Sequence, residues 1–422
     1  MIIHLKIALQ SLLNRKMTFL LTIFSIAMSI MLFLGIARIR QGAKESFSNT
    51  ISKTDLVVGA RGSGIQLLLY TVFHMGNATN NISWSSYEEI KNYPEVKWTI
   101  PFSLGDSYHG YRVVATDQNL YQHYRFFGDK KIQVAQGDIP DNVFDVALGW
   151  EMAKKENLKI GDPIPLTHGI STGPGIIVHK DKPFTVVGIL KETGTPLDRA
   201  AYITLEGMEA IHIDWTNGAP PIPGNELSTS QIKKENIKVT QLTAFLLGAE
   251  NRISALGLQR DLNNFKKEPI MAIIPGVALS QLWETVSYAE SALQIISVFV
   301  VAIGLIGMMV SIYTSLETRR REISILRAVG AGSKAIVFLL ISESLIISVF
   351  ACILGYILCY GAILIARPFI LNEFGILIPS ISFEVNEFYY LLSVIIFSCI
   401  IGLVPAIKAY KNSLHDGLSV RL

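Results

Sequence analysis

Charge is scarce in this sequence. Asp, Glu, Lys and Arg make up 17% of its 422 residues, against roughly 25% in an average soluble protein. Hydrophobic residues reach 50%, and the mean hydropathy is +0.39. An ordinary core cannot hide that much apolar surface, which excludes a purely soluble enzyme. It also excludes disorder, because disordered chains are poor in apolar residues. The net charge of +3 is too small to point to a nucleic-acid partner. Cysteine is scarcer still. Only Cys352, Cys359 and Cys399 occur, all within apolar runs, so no disulfide framework supports the polar part of the chain. Cys352 and Cys359 lie two turns apart and read as packing residues rather than a metal pair. Nucleotide-binding and zinc-protease signatures are absent too: neither G-x-x-x-x-G-K-[ST] nor H-E-x-x-H occurs.

What the sequence does have is long apolar runs. Four are long enough to span a bilayer, which takes about 20 residues: Met17 to Ala37, Leu293 to Tyr313, Ile336 to Ala366 and Phe388 to Ile407. The first follows Lys6, Arg15 and Lys16, as a signal peptide would. Its apolar run is longer than the 7–15 residues of a signal h-region, and no A-x-A site closes it, so it reads as a retained span. Basic residues set the orientation. Arg15 and Lys16, the group Arg319, Arg320, Arg321, Arg327 and Lys334, and the group Lys408, Lys411 and Arg421 fall on one side, predicted to be cytoplasmic. Arg38, Arg40 and Lys44 run against that rule, on the outer end of span 1.

These observations predict a four-span α-helical membrane domain with a large mixed α+β domain inserted between spans 1 and 2. Residues 1–16 form an amphipathic helix on the cytoplasmic face, with Ile2, Leu5, Ala8, Leu9, Leu12 and Leu13 on one side; an extension of span 1 is the alternative. Residues 17–45 are span 1 and a stalk, 46–275 the external domain, and 276–315 a stalk and span 2. A cytoplasmic segment occupies 316–334, span 3 occupies 335–366, an external loop 367–387, and span 4 with a tail 388–422. Strand signals occur at Asp55–Val58, Arg112–Ala115, Phe184–Ile189 and Leu242–Leu246. Helix patterns occur at Ser85–Ile90, with Ser85 or Ser86 as cap and Glu89 closing a capping box, and at Trp150–Lys155. Ala219–Gly224, with three prolines, reads as loop.

No catalytic constellation emerges. Gly169-Ile170-Ser171-Thr172-Gly173 matches G-x-S-x-G, but Pro174-Gly175 and a strand-like Ile176-Ile177-Val178 follow where a nucleophile elbow needs a helix. It reads as a hairpin turn. His168 and His179 flank that turn and can face each other across two strands, which would make half a zinc site; surface histidines beside a turn are the commoner reading, and no metal site is assigned. His74 reads as a satisfied, partly buried histidine. Asn77-Ala78-Thr79 and Asn81-Ile82-Ser83 fit a glycosylation pattern of low specificity. Glu343 is the single acid inside a span, where a charge is costly. It lies about two turns from the cytoplasmic end and can face water, a neighbouring helix or another subunit.

The segment Leu316–Ala331 carries Glu317, Arg319, Arg320, Arg321 and Glu322, then Ile323, Leu326 and Val329 at helical spacing. Charge alone would make a topological anchor. The apolar spacing instead predicts a helix whose Ile323, Leu326 and Val329 enter a partner's groove, ringed by charges.

With Phe338-Leu339-Leu340-Ile341-Ser342-Glu343-Ser344-Leu345 and Gly402-Leu403-Val404-Pro405-Ala406-Ile407-Lys408-Ala409, this segment resembles the FtsX-like permeases, the membrane subunits of MacB-type ABC transporters. Ala147–Ala153, Leu158–Asp162 and Phe184–Leu190 resemble the MacB-like periplasmic core domain. The resemblance implies a multi-pass protein of the bacterial inner membrane with its large domain in the periplasm. It implies no catalytic residue, metal or cofactor on this chain. ATP and Mg would sit on a separate ABC ATPase subunit, as in the LolCDE and FtsEX systems, because MacB itself carries its ATPase on the same chain and this chain has none. Further partners would be a second copy or a related permease, the lipid bilayer, and a periplasmic adaptor or substrate protein. The implied coupling residues are Glu317, Arg319, Arg320, Arg321, Glu322, Ile323 and Leu326, with Glu343 where the family commonly has Glu. The implied function is mechanotransmission for export or extrusion. Lipoprotein extraction of the LolCDE type and FtsX-like control of cell-wall hydrolases are the alternatives.

Overall fold

The computed structural model describes residues 2–169, 178–215, 227, 229–318, 325, 327–374 and 384–415. The chain divides into two compact units. One comprises residues 1–41, 287–369 and 378–422; the other comprises 42–286 and 370–377.

The first unit is helical. Among the described residues, four helices are long and apolar enough to cross a membrane, over Lys16–Thr50, Pro275–Leu316, Lys334–Ile370 and Val385–Ala409. A short helix Ile2–Leu13 precedes them. Their outward residues, such as Leu20, Phe24, Phe299, Ile303, Ile357 and Phe397, are exposed large apolar side chains, which suits a hydrocarbon solvent rather than water. With lipid on the outside, small residues let helices approach. A Cβ on Gly355 would lie 2.8 Å from the Ala27 carbonyl oxygen, and one on Gly304 would lie 3.3 Å from Ser29 Oγ. Phe33 and Tyr390 stack at 3.8 Å between ring centres.

The second unit is built on a mixed sheet of eleven strands. Nine run in the order Ile270–Ile273, Leu56–Ala60, Ala244–Ala249, Val96–Tyr108, Tyr111–Thr116, Ala200–Thr204, Asp145–Leu148, Phe184–Leu190 and Val134–Gly137. Ala200–Thr204 pairs in parallel with Tyr111–Thr116, and Phe184–Leu190 with Asp145–Leu148; the other neighbours in the order are antiparallel. Thr167–His168 adds to Val96–Tyr108, and Pro163–Ile164 to Phe184–Leu190. Both faces are buried. Val114, Ala147 and Tyr202 enter one core while Val113, Leu148 and Ala201 enter another, as the two-residue repeat of a strand requires. All four predicted strand segments are strands, although Leu242 ends a separate two-residue strand, Gln241–Leu242, before Ala244–Ala249 begins.

The helix Trp150–Lys155 forms as expected, but the cap of Trp84–Lys91 differs from the sequence reading. Ser83, not Ser85 or Ser86, is the N-cap, and its Oγ accepts from the Ser86 N–H. The carboxylate that closes the box is remote. Glu268 accepts from both the Ser83 N–H and its hydroxyl, while Glu89 pairs with Lys267 at 2.6 Å. Three serines in one turn made the local pattern ambiguous, and a tertiary contact decided it. The Ala219–Gly224 loop and most of the Gly169–Gly173 motif lie outside the described residues.

His74 is half-buried as expected, yet its Nδ1 is enclosed without a hydrogen-bond partner among the described residues. Burial, reinforced by the Arg112 guanidinium, pushes its pKa down to about 4. A base whose pKa falls on folding holds its proton more tightly when unfolded. The folded state therefore loses stability as pH drops from about 6.5 towards 4, by up to about 3 kcal/mol, and gains nothing above that window. Apparent melting temperature of the full-length protein in detergent, followed across that pH range, is expected to fall less steeply for His74→Gln than for the native sequence. Parallel curves would contradict this assignment.

Candidate functional site

Of the predicted coupling residues, Arg319, Arg320, Arg321, Glu322, Ile323 and Leu326 lie outside the described residues. Glu317 belongs to the helix Pro275–Thr318, one residue from its end. Two apolar neighbours of this segment are described. Ile325 is 57% exposed and Val329 is 84% exposed.

Glu343 is buried, on the helix Ser333–Phe374. It faces a cavity of about 360 Å³ lined also by Arg15, Thr18, Ser311, Thr314 and Ser315. The one acid in the apolar run thus looks into a cavity that presents Arg15 and several hydroxyl side chains alongside Leu12, Phe19, Ile312 and Ile347. That is the arrangement expected of an ionisable group at membrane depth.

Two of the three basic residues that break the orientation rule, Arg38 and Arg40, have acidic partners. Arg38 Nε donates to Glu387 Oε1 at 2.6 Å, and Nη1 donates to Glu384 Oε1 at 2.9 Å. Tyr360 donates its hydroxyl to the Glu387 carboxylate at 3.0 Å, and the Arg38 guanidinium lies 5.5 Å from the Tyr360 ring centre. Arg38, Glu387 and Tyr360 are all buried. Arg40 pairs with Glu290 at 2.6 Å, nearer the surface. Sequence reasoning missed this network because it counted charges by loop, whereas Glu384 and Glu387 reach Arg38 from the far end of the chain.

In the second unit, His168 and His179 do come together, and two residues join them that the sequence did not single out. The strand Thr167–His168 pairs with Val96–Tyr108 so that His168 stands opposite Asp106. The pairing of Val96–Tyr108 with its other neighbour shifts register between Leu104 and Ser107. Asp106 sits in that irregularity, and such a bulge re-aims a side chain. Thr167 bridges Val178, and the His179 N–H donates to the Leu166 carbonyl, which brings the second histidine alongside. His212 caps the C-terminus of the helix Leu205–Ile211. His168 Nδ1 lies 3.0 Å from His212 Nε2. Trp215 packs on all three rings at 4.8–5.4 Å between centres. Burial pushes the pKa of His179 down to about 4 and lowers that of His212, whereas the Asp106 carboxylate raises that of His168.

A neighbouring ion pair fixes the two histidine-bearing turns. Lys182 is wholly buried and donates to both Asp214 oxygens, at 2.7 and 2.8 Å, and to Asp181 at 2.7 Å. Burial alone would favour the neutral amine, but the two carboxylates outweigh it and hold Lys182 above its ordinary pKa.

Two family models match the chain. Residues 294–414 match the FtsX-like permease C-terminal family, and residues 19–233 match the MacB-like periplasmic core domain. An uncharacterised ABC transporter permease of Methanocaldococcus jannaschii is 28% identical over 240 residues, which is 54% of this chain and 52% of the relative. The chain therefore spans about half the length of that relative. The crystal structure of the extracellular domain of the noncanonic ABC-type transporter YknZ from Gram-positive bacteria aligns over 52% of this chain and 98% of its own, at 12% identity and a TM-score of 0.30. The second family match alone spans half of the sequence, and the chain belongs to the ABC transporter permeases of the FtsX-like, MacB type.

Proposed function

We propose that this chain is the membrane subunit of a bacterial MacB-type transporter whose ATPase is a separate protein, and that it works by mechanotransmission. The mixed domain would lie in the periplasm, inserted between spans 1 and 2, and the permease would act as a pair. The observation that carries this reading is the length of two helices. Lys16–Thr50 has 35 residues and Pro275–Thr318 has 44. At 1.5 Å per residue these are roughly 50 and 65 Å long, against a hydrocarbon core of about 30 Å. Each therefore has length left over to leave the bilayer as an unbroken rod, which can transmit a displacement that a loop would absorb.

The exposed apolar side chains of Ile325 and Val329 support a docking role for the 317–331 segment. Closure of the ATPase pair on ATP would shift that segment, and the two long helices would carry the shift outward. No substrate needs to cross a central pore in this scheme. ATP and Mg would belong to the partner, and this chain would supply no catalytic group.

The scheme predicts motion far from the nucleotide. Ile253 is 84% exposed at the start of the helix Arg252–Asn263, and residues 42–286 contain no cysteine. With the three native cysteines replaced, Ile253→Cys can carry a single spin label. In the complex reconstituted with its ATPase, the label-to-label distance between the two permeases is expected to change when ATP is trapped. A distance distribution that is the same with ATP and with ADP would contradict mechanotransmission.

A further inference from the structure

Asp106 is fully buried, and neither of its carboxylate oxygens has a hydrogen-bond partner among the described residues. His168 Nδ1 lies 3.5 Å from one oxygen and His179 Nε2 lies 3.9 Å from the other. His179 Nε2 is likewise buried without a hydrogen bond from the described residues. Burying a carboxylate with no donor is costly, and native structures rarely leave one so. Four donor atoms, from Asp106, His168, His179 and His212, nevertheless lie within 4.8 Å of one another. Something with positive charge that binds both nitrogen and oxygen lone pairs would satisfy all of them at once.

We propose that these four residues form a binding site for one divalent transition-metal ion, with Zn²⁺ the best fit to the donors. Zinc takes imidazole nitrogen and carboxylate oxygen at 2.0–2.2 Å, usually with four ligands in a tetrahedron. Ligand atoms in such a tetrahedron stand about 3.3 Å apart. The observed contacts begin at 3.0 Å and end below 4.8 Å, so the cluster needs only a small closing movement to reach that geometry. Three imidazoles with a single carboxylate disfavour Mg²⁺ and Ca²⁺, which select oxygen ligands.

The surroundings fit a built site. Trp215 walls the three rings on one side. The Lys182–Asp214 ion pair ties the turn bearing His179 to the turn bearing His212. Ser107 Oγ donates to the Gly169 carbonyl at 2.6 Å, next to His168. His168 is the most exposed member, its side chain 51% accessible, which gives an ion a way in. A closed set of four protein ligands characterises a structural site rather than a catalytic one. The ion would clip His168 and His179 to the sheet through Asp106 and to the helix Leu205–Ile211 through His212. This inference stands on the second unit alone and does not depend on the transport mechanism.

The test uses full-length protein in detergent, without a polyhistidine tag, stripped by a chelator. Zn²⁺ is expected to bind at one ion per chain and to raise the apparent melting temperature. Co²⁺ in its place is expected to give the visible absorption of tetrahedral coordination and to quench Trp215 fluorescence, with Zn²⁺ reversing both. His168→Ala, at the exposed ligand, and the near-isosteric Asp106→Asn are expected to weaken binding about 100-fold or more while the protein stays monodisperse. Trp215→Phe should keep the absorption band and lose the quenching. Absence of stoichiometric Zn²⁺, or equal Zn²⁺ binding by the native protein and His168→Ala, would overturn the proposal and leave the cluster as a packing feature.

Discussion

Arg38→Ala is expected to destabilise the helical unit by about 3–5 kcal/mol, the cost of breaking a buried ion pair from one side. The loss arises mainly from what remains. Glu387 is buried, and its carboxylate would keep the Tyr360 hydroxyl and a long contact from the Glu384 N–H at 3.5 Å, but no positive charge among the described residues. Without the guanidinium that carboxylate is left buried and uncompensated. The effect should appear as a large drop in melting temperature in detergent and in lower yield from membranes. The double substitution Arg38→Met with Glu387→Gln is expected to recover much of the loss, because replacing both charges removes the uncompensated one. Arg40→Ala serves as the contrast. Its side chain is 44% exposed beside Glu290, and exposed pairs contribute about 0.2–1 kcal/mol. Equal losses for Arg38→Ala and Arg40→Ala would refute the distinction drawn between the two pairs.

Ile323→Asp or Leu326→Asp is expected to abolish association with the ATPase while leaving the permease folded. A carboxylate forced into an apolar groove without a partner costs several kcal/mol, and each 1.4 kcal/mol is about tenfold in affinity. A loss of 100-fold or more is therefore expected in a binding measurement with the purified ATPase. Charge reversal at Arg320, on the rim of the same contact, should change the association rate and its salt dependence more than the final affinity. Retained association in either aspartate variant would remove the docking assignment.

The parts of this molecule legible in its sequence are those specified by neighbouring residues. The four bilayer-length runs could be read because each is apolar over about 20 consecutive positions. Phe184–Leu190 and Tyr111–Thr116 could be read from β-branched and alternating residues within one segment. His168 and His179 were half-legible for the same reason, since only ten residues separate them in the chain. Asp106 and His212 were not. Asp106 reaches His168 through strand register and a bulge, and His212 arrives at the end of a helix from a later part of the chain. No local pattern encodes those meetings. Arg38 shows the same limit from the opposite direction, because its charge looked misplaced until Glu384 and Glu387 were found beside it. The Ser83 cap likewise depends on Glu268, which lies far along the chain.

The central claim is that this permease is driven by an ATPase carried on another chain. Mass spectrometry of the protein solubilised gently from its native membrane, with and without crosslinking, tests that claim most directly. The account predicts an ABC ATPase with Walker motifs, at about one copy per permease chain. Recovery of the permease without such a protein, even after crosslinking through the lysines and arginines near residues 317–334, would contradict it and leave that segment as a basic anchor at the membrane surface.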